Sequence, residues 1–324
     1  MRIIEGQATH LSRTMHGLAY DATHDEVVVP VALGAAVLTF RGGATGAEAP
    51  IRSIQGPRTQ LVRPHSLAVD EQNGEIIVAD TSSRSLLVFS RDADGDVPPK
   101  RIITGPKTGL LFIVGVAVDA VHDRIVAASA SSVRGGTTGL FIFGRTDNGD
   151  VAPRTVIAGP HTGIVRPWQL AIEPSLGRVF VAAINNENHP PYALEMPRKD
   201  LAPDVDLPSP WNTGAPGFVG VWDINDNGDV PPRGIIEGPG SYLVHPAGVA
   251  IDPKTGEVFV TDGVRNGLFT FLAPRFFSKE AKNGTGALAD QLMGPAQSGG
   301  PIARRIRVWA VRMHGPFHAR NEEQ

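Results

Sequence analysis

The sequence predicts an all-β fold, a β-propeller of four-stranded blades, from three observations. A short pattern recurs five times along the 324 residues: a small or polar residue, an aliphatic residue, alanine, an apolar residue and an acid. Further apolar runs of strand length follow each copy, and no helical period of 3.6 residues survives in them. The copies lie about 50 residues apart, and four short strands at that period are typical of a propeller blade.

The alanine shared by the five copies gives the spacing. Successive alanines lie 49, 49, 54 and 79 residues apart, at Ala19, Ala68, Ala117, Ala171 and Ala250. The last spacing is long because of one insertion, at about residues 185–217. The period therefore predicts five blades, with six as an alternative.

The second copy shows how one blade is written in the sequence. Its four predicted strands read SLAVD, EIIVAD, SLLVFSR and KRIITG, and the turn sequences EQNG, TSSR and DADGDVPP separate them. A lone blade of this kind cannot bury both of its faces, so neighbouring blades are expected to stack around an axis.

The ends of the chain predict how the ring closes. The segment Arg2–Gly6 matches the fourth strand of other copies, at 101–105 and 234–238. We therefore expect the N-terminal strand to complete the last blade, which would remove an open sheet edge. The predicted propeller covers residues 1–277. Residues 278–324 do not match the repeat and are expected to form a linker and an arginine-rich C-terminal tail, which could also serve self-assembly.

The repeats resemble those of the NHL-repeat propellers and their bacterial relatives. The resemblance is carried by Pro64–Asp70, 74–80 and 87–89, and again by Pro246–Asp252 and 256–262. It extends over residues 1–277 and implies the propeller fold. It leaves the function open, because such propellers include ligand-binding scaffolds, protein- and RNA-binding modules, and a few lyases and lactonases.

Composition excludes several kinds of chemistry. The chain has no cysteine, which excludes disulfides, thiolate catalysis and zinc–thiolate sites. Its net charge of −3 gives no field that would attract nucleic acid. No apolar run has the length of a membrane span, and the N-terminus has no signal-peptide core. We expect a soluble protein without a cofactor. It would be cytoplasmic if the chain is complete, and periplasmic or secreted if a leader was removed.

One face of the disc is predicted to carry the site. With strands named a to d from the axis outward, the d–a and b–c connections share a face. The d–a connections and the b–c insertion hold the ligand-binding candidates, which are His16, Arg63, His65, Arg166, Trp168, His245 and Trp211. Long loops on rigid scaffolds commonly bind ligands. The alternative is that the insertion is padding and that the residues beneath it only pack.

The histidines and arginines of this face each allow two interpretations. His16 and His65 could form a metal pair or an acid–base pair, or they could hydrogen-bond the backbone of neighbouring blades. We predict no metal. Arg63 and Arg166 could bind a carboxylate or a phosphate, or they could form salt bridges with adjacent loops.

Two sets of acidic residues have a similar ambiguity. The Asp/Gly motifs at 92–96, 147–150 and 225–229 resemble calcium loops but lack the bidentate glutamate, so hairpin turns are favoured. The acids that end the first strand of each blade could ring a cation on the axis or cap their own turns. They are Asp21, Asp70, Asp119, Glu173 and Asp252.

The function these observations favour is non-catalytic binding on the loop-rich face, either of a protein partner or of a small ligand such as an anion. A lyase or hydrolase is the first alternative, with a channel-mouth histidine as base and an arginine that steadies an anion. The second alternative is a structural subunit of a larger assembly, joined through the tail.

Overall fold

A computed structural model describes residues 2–12, 15–131, 136–184, 217–279 and 311–312. These residues form five four-stranded antiparallel sheets arranged as a five-bladed β-propeller. The predicted fold class and the five blades are thereby confirmed.

Each blade is a meander whose strands follow one another in chain order. Blade 1 consists of β1 (Ala19–Asp21), β2 (Glu26–Val31), β3 (Ala36–Arg41) and β4 (Arg52–Gln55). Blade 2 consists of β5 (Pro64–Asp70), β6 (Glu75–Asp80), β7 (Ser85–Ser90) and β8 (Arg101–Ile103). Blade 3 consists of β9 (Phe112–Asp119), β10 (Arg124–Ala130), β11 (Gly139–Gly144) and β12 (Thr155–Ile157). Blade 4 consists of β13 (Arg166–Glu173), β14 (Arg178–Ile184), β15 (Phe218–Asp223) and β16 (Gly234–Ile236). Blade 5 consists of β17 (Pro246–Asp252), β18 (Glu257–Asp262), β19 (Gly267–Leu272) and β20 (Val311–Arg312).

The core lies between the blades. Four clusters of buried apolar side chains join blades 1 and 2, 2 and 3, 3 and 4, and 4 and 5. In blade 2 every residue of β6 is buried, because a neighbouring blade covers each of its faces. Full burial of one aliphatic side chain contributes about 1.5–3 kcal/mol. The blades are therefore stabilised by their neighbours, as in other repeat proteins.

A polar clasp ties the outer strand of one blade to the c–d turn of the next. In the turn of blade 2, Asp94 Oδ1 accepts the Ser53 N–H at 2.8 Å and Asp96 Oδ1 accepts the Arg58 N–H at 2.7 Å. Asp150 in blade 3 and Asp229 in blade 4 make the equivalent contacts. Because these oxygens accept backbone N–H groups, the geometry favours the hairpin turn over a calcium loop.

The acids that end the inner strands cap their own turns. Asp70 Oδ1 accepts the Asn73 N–H at 3.0 Å, and Asp119 Oδ1 accepts the His122 N–H at 2.9 Å. Asp21, Glu173 and Asp252 make the same kind of contact. The arrangement favours turn caps over a ring of carboxylates around a cation.

The closing strand differs from the prediction. In blade 5 the fourth strand is β20, whose Val311 and Arg312 pair with Leu268 and Gly267. The N-terminal segment is not in that sheet. Instead Ile4 forms a parallel bridge with Gly46 in the c–d turn of blade 1, as the outer strands of blades 1 to 3 do with the next blade. The segment resembles a fourth strand because it makes that strand's contact with the following blade.

Candidate functional site

The channel mouth is built from the d–a connections and the b–c turns, which meet on one face. In blade 2, Asp80 Oδ2 at the end of β6 accepts the N–H groups of Val62 and Arg63 at 2.8 and 2.7 Å. In blade 5, Asp262 Oδ2 accepts the N–H groups of Val244 and His245, each at 2.7 Å. These bonds fix the backbone that presents Arg63 and His245 at the rim.

Aromatic rings plug the mouth. The His16 and His65 rings stack with centroids 4.2 Å apart and an interplanar angle of 4°. The Trp168 ring stands edge-on to His65, 5.6 Å away, and to His16, 6.4 Å away. His245 packs against Trp168 from blade 5 at 6.1 Å. Four of the predicted residues, from blades 1, 2, 4 and 5, therefore lie together.

Gln169 links blades beneath this plug, a role that was not predicted from the sequence. Its Nε2 donates to the His16 carbonyl oxygen at 2.8 Å, and its Oε1 accepts from Ser66 Oγ at 3.2 Å. The available signal was that blade 4 has glutamine where the repeat otherwise has glycine or serine. Only glutamine in that set is long enough to reach other blades across the axis.

Burial makes the mouth histidines neutral. His65 is fully buried, and its Nδ1 donates to the Val114 carbonyl oxygen at 2.9 Å, which fixes the tautomer. Burial lowers the pKa of His65 to about 3 and that of His245 to about 4, and it also lowers the pKa of His16. The geometry of His65 matches the backbone-bonding interpretation. Among the described residues, no three His, Asp or Glu side chains could hold a metal ion together.

The two mouth arginines differ in their surroundings. Arg63 is half-buried, whereas only 5% of Arg166 is exposed. Within the described part of the chain, the Nη2 of Arg166 has no hydrogen-bond partner, and no carboxylate forms an ion pair with its guanidinium. Burial lowers the pKa of Arg166.

Both ends of the insertion lie at the mouth. Its first end follows Ile184, which pairs with Arg166. At its other end, the Gly217 N–H donates to the Val244 carbonyl oxygen at 3.2 Å. Residues 185–216, Trp211 among them, lie outside the described residues. The prediction that the insertion covers the ring therefore stays a prediction.

Comparison with known proteins supports the fold. The family model of the NHL repeat matches residues 61–89, which span most of the first three strands of blade 2. No curated protein matches the chain. Within the described residues, no helix is long and apolar enough to cross a membrane.

Two solved structures illustrate the likeness. A chain of the nidogen/laminin complex has a TM-score of 0.54 and 13% identity, and the match covers 81% of this chain and 77% of that one. The Cps50 (Swd1) β-propeller domain of Myceliophteria thermophila has a TM-score of 0.51 and 10% identity, and the match covers 83% and 68%. At such identities the likeness shows the fold alone. Together with the blade geometry, these findings show that the chain has a β-propeller fold, in which residues 61–89 match the NHL repeat.

Proposed function

We propose that this propeller is a non-catalytic binding module that recognises a protein partner with the face at the channel mouth. The observation that carries the proposal is the plug of His16, His65 and Trp168, which turns the mouth into a solid floor. Because His65 and Trp168 are buried, the rings form a rigid base for the surrounding loops, and loops on a rigid scaffold are suited to recognition. One structural neighbour belongs to a complex of two proteins, nidogen and laminin, which is consistent with this use of the fold.

Exposed apolar side chains around the floor support a protein partner. Met15, Val62 and Tyr242 lie in d–a connections, and Leu33 lies in the b–c turn of blade 1, so all four are on the mouth face. Exposed apolar residues with a polar surround are typical of protein interfaces. The insertion leaves and rejoins the same face.

The histidine chemistry does not favour the hydrolase or lyase alternative. A general base works best with a pKa near the working pH. Burial holds the pKa of His65 at about 3 and that of His245 at about 4, so each is a weak base. Their ring contacts are those of packed side chains.

The test compares the two faces of the disc. Tagged wild type, the double variant Leu33→Glu/Val62→Glu and the control Val121→Glu are cross-linked in the source cells, and captured proteins are quantified by mass spectrometry. Val121 is exposed like the other two but lies in an a–b turn on the opposite face. We expect the double variant to reduce capture of a specific partner roughly tenfold, while the control retains it. Equal capture by all three proteins would refute the proposal.

A further inference from the structure

The repeat places three cationic or titratable residues at one position of the mouth. Arg63, Arg166 and His245 each precede the shared alanine of their blade by five residues. Each also precedes a proline that pairs with the end of strand b. The pairs are Pro64–Asp80, Pro167–Ala183 and Pro246–Asp262. Blades 2 and 5 therefore have a carboxylate at this register, and blade 4 has alanine.

The carboxylate at this register acts on the mouth residue. Asp80 and Asp262 accept the backbone N–H groups of Arg63 and His245 at 2.7 Å. The charge of Asp262 also raises the pKa of His245 against the effect of burial. The carboxylate at the end of strand b is thus close enough to act electrostatically on the residue before the proline, as Asp262 does on His245.

Blade 4 buries a cation without that carboxylate. Only 5% of Arg166 is exposed, and Ala183 is fully buried. In the described residues the Nη2 of Arg166 has no acceptor. A buried charge without a partner is unfavourable. Ionisable groups in such unfavourable surroundings cluster at functional sites.

We propose that Arg166 is the binding site for a carboxylate of the partner, either an acidic side chain or a chain terminus. This proposal rests on the proposed function and specifies its chemistry. A planar guanidinium binds a carboxylate through two parallel hydrogen bonds. A single buried cation matches a singly charged anion better than a phosphate dianion. Trp168 and His245 stand edge-on to each other, and His245 is near enough for the charge of Arg166 to add to burial in lowering its pKa.

Two sources could provide the carboxylate: the partner, or one of the five acids of the insertion, which are Glu187, Glu195, Asp200, Asp204 and Asp206. The probe is acetate, titrated against chloride at equal ionic strength while the melting temperature is recorded. We expect acetate to raise the wild-type Tm by about 3 °C at ten times its Kd. Arg166→Met and Arg166→Gln should abolish the rise. A second arm replaces all five acids with glutamine or asparagine.

The control is Arg178→Met. Arg178 is as buried as Arg166 and also has guanidinium nitrogens without a hydrogen-bond partner in the described residues, but its Nη1 lies 3.7 Å from a carboxylate, that of Asp223. Its replacement should destabilise the protein and leave the acetate response intact. A response in wild type that Arg166 variants lose supports the partner as source. A response only in the neutralised variant assigns the carboxylate to the insertion and overturns the partner ligand. No response in either protein, or one that survives in both Arg166 variants, overturns the site. Because acetate binding needs no partner, its failure is separable from failure of the capture experiment.

Discussion

Blades 2 and 5 follow the same sequence pattern and differ in how much of it they bury. Leu86 in blade 2 is 0% exposed, whereas Leu268, at the same register in blade 5, is 40% exposed. Blade 1 shows the other side of the difference. Its Leu18 is 66% exposed, whereas Leu67, the equivalent residue of blade 2, is 6% exposed. An apolar pattern predicts a strand, and burial depends on whether another blade covers that strand.

The uncovered faces lie on either side of one junction. In the described part of the chain, four clusters of buried apolar side chains each lie between two consecutive blades. None of them lies between blade 5 and blade 1. A fifth cluster belongs to blade 1, and Ile4 and Leu11 of the N-terminal segment pack against it. Blade 5 has Thr261 where blade 2 has the fully buried Ala79. The hydroxyl of Thr261 can hydrogen-bond water at this face of blade 5, which no other blade covers.

The largest expected effect tests the burial difference directly. Leu86→Ala should destabilise the protein by about 3 kcal/mol, because it leaves a cavity between blades 2 and 3. Leu268→Ala should cost less than about 1 kcal/mol, since water already reaches that side chain. Urea unfolding measures both. Equal losses for the two variants would show that the junction of blades 5 and 1 is sealed.

The next effect concerns the loss of stability at low pH. Blade 2 has His65 three residues before the shared alanine, whereas blade 5 has Ala247 at that position. An unfolded histidine binds a proton below about pH 6.5, but burial holds the pKa of His65 at about 3. The unfolded state therefore binds more protons between those values, and stability falls as the pH falls. Replacing His65 with valine, which blade 3 has at this position, should remove roughly 2 kcal/mol of the loss between pH 7 and 4.5.

The measurement is the free energy of unfolding at several pH values for wild type and His65→Val. The control is the exposed His10→Asn, which keeps a residue type that tolerates the left-handed backbone of this position, and it should keep the wild-type slope. A slope unchanged in His65→Val would mean that His65 is protonated in the folded protein.

The smallest expected effect concerns the polar clasp. The c–d turns of blades 2 to 4 supply its aspartates, and the described residues of blade 5 do not. The ring of Phe276 in blade 5 packs at Gly234 of blade 4 instead, and no atom among the described residues lies within 4 Å of an added Cβ at Gly238, the counterpart of Gly56 beside Asp96. Asp96→Ala should cost about 1 kcal/mol, because the Arg58 N–H loses its acceptor. The control Asp92→Ala removes an exposed carboxylate of the same turn and should change stability by less than about 0.5 kcal/mol. Similar losses of stability in the two variants would show that the hydrogen bond of Asp96 does not stabilise the contact between blades. Thermal unfolding of both variants measures the difference.

The fold could be predicted from the sequence because the repeat is regular. The closing strand and the contacts across the mouth could not, because they depend on residues far apart in the sequence. The alanine spacing was enough for five blades. The fourth strand of blade 5 could not be predicted, because β20 pairs through its backbone and its sequence does not match the repeat. Trp168 and the mouth histidines followed from the register. Gln169 acts across the axis, and the unpartnered state of Arg166 is visible only once Ala183 is aligned with Asp80 and Asp262.

The parallel bridges between blades have a consequence for synthesis of the chain. Ile4–Gly46, Ile54–Gly95, Ile103–Gly149 and Ile157–Gly228 span 42, 41, 46 and 71 residues. Each bridge can form as soon as the following blade has left the ribosome, whereas an N-terminal strand that closed blade 5 would wait for nearly the whole propeller. Short sequence separations favour fast folding, and domains fold from the N-terminus during translation. We therefore expect the ring to grow one blade at a time, with its first residues secured early.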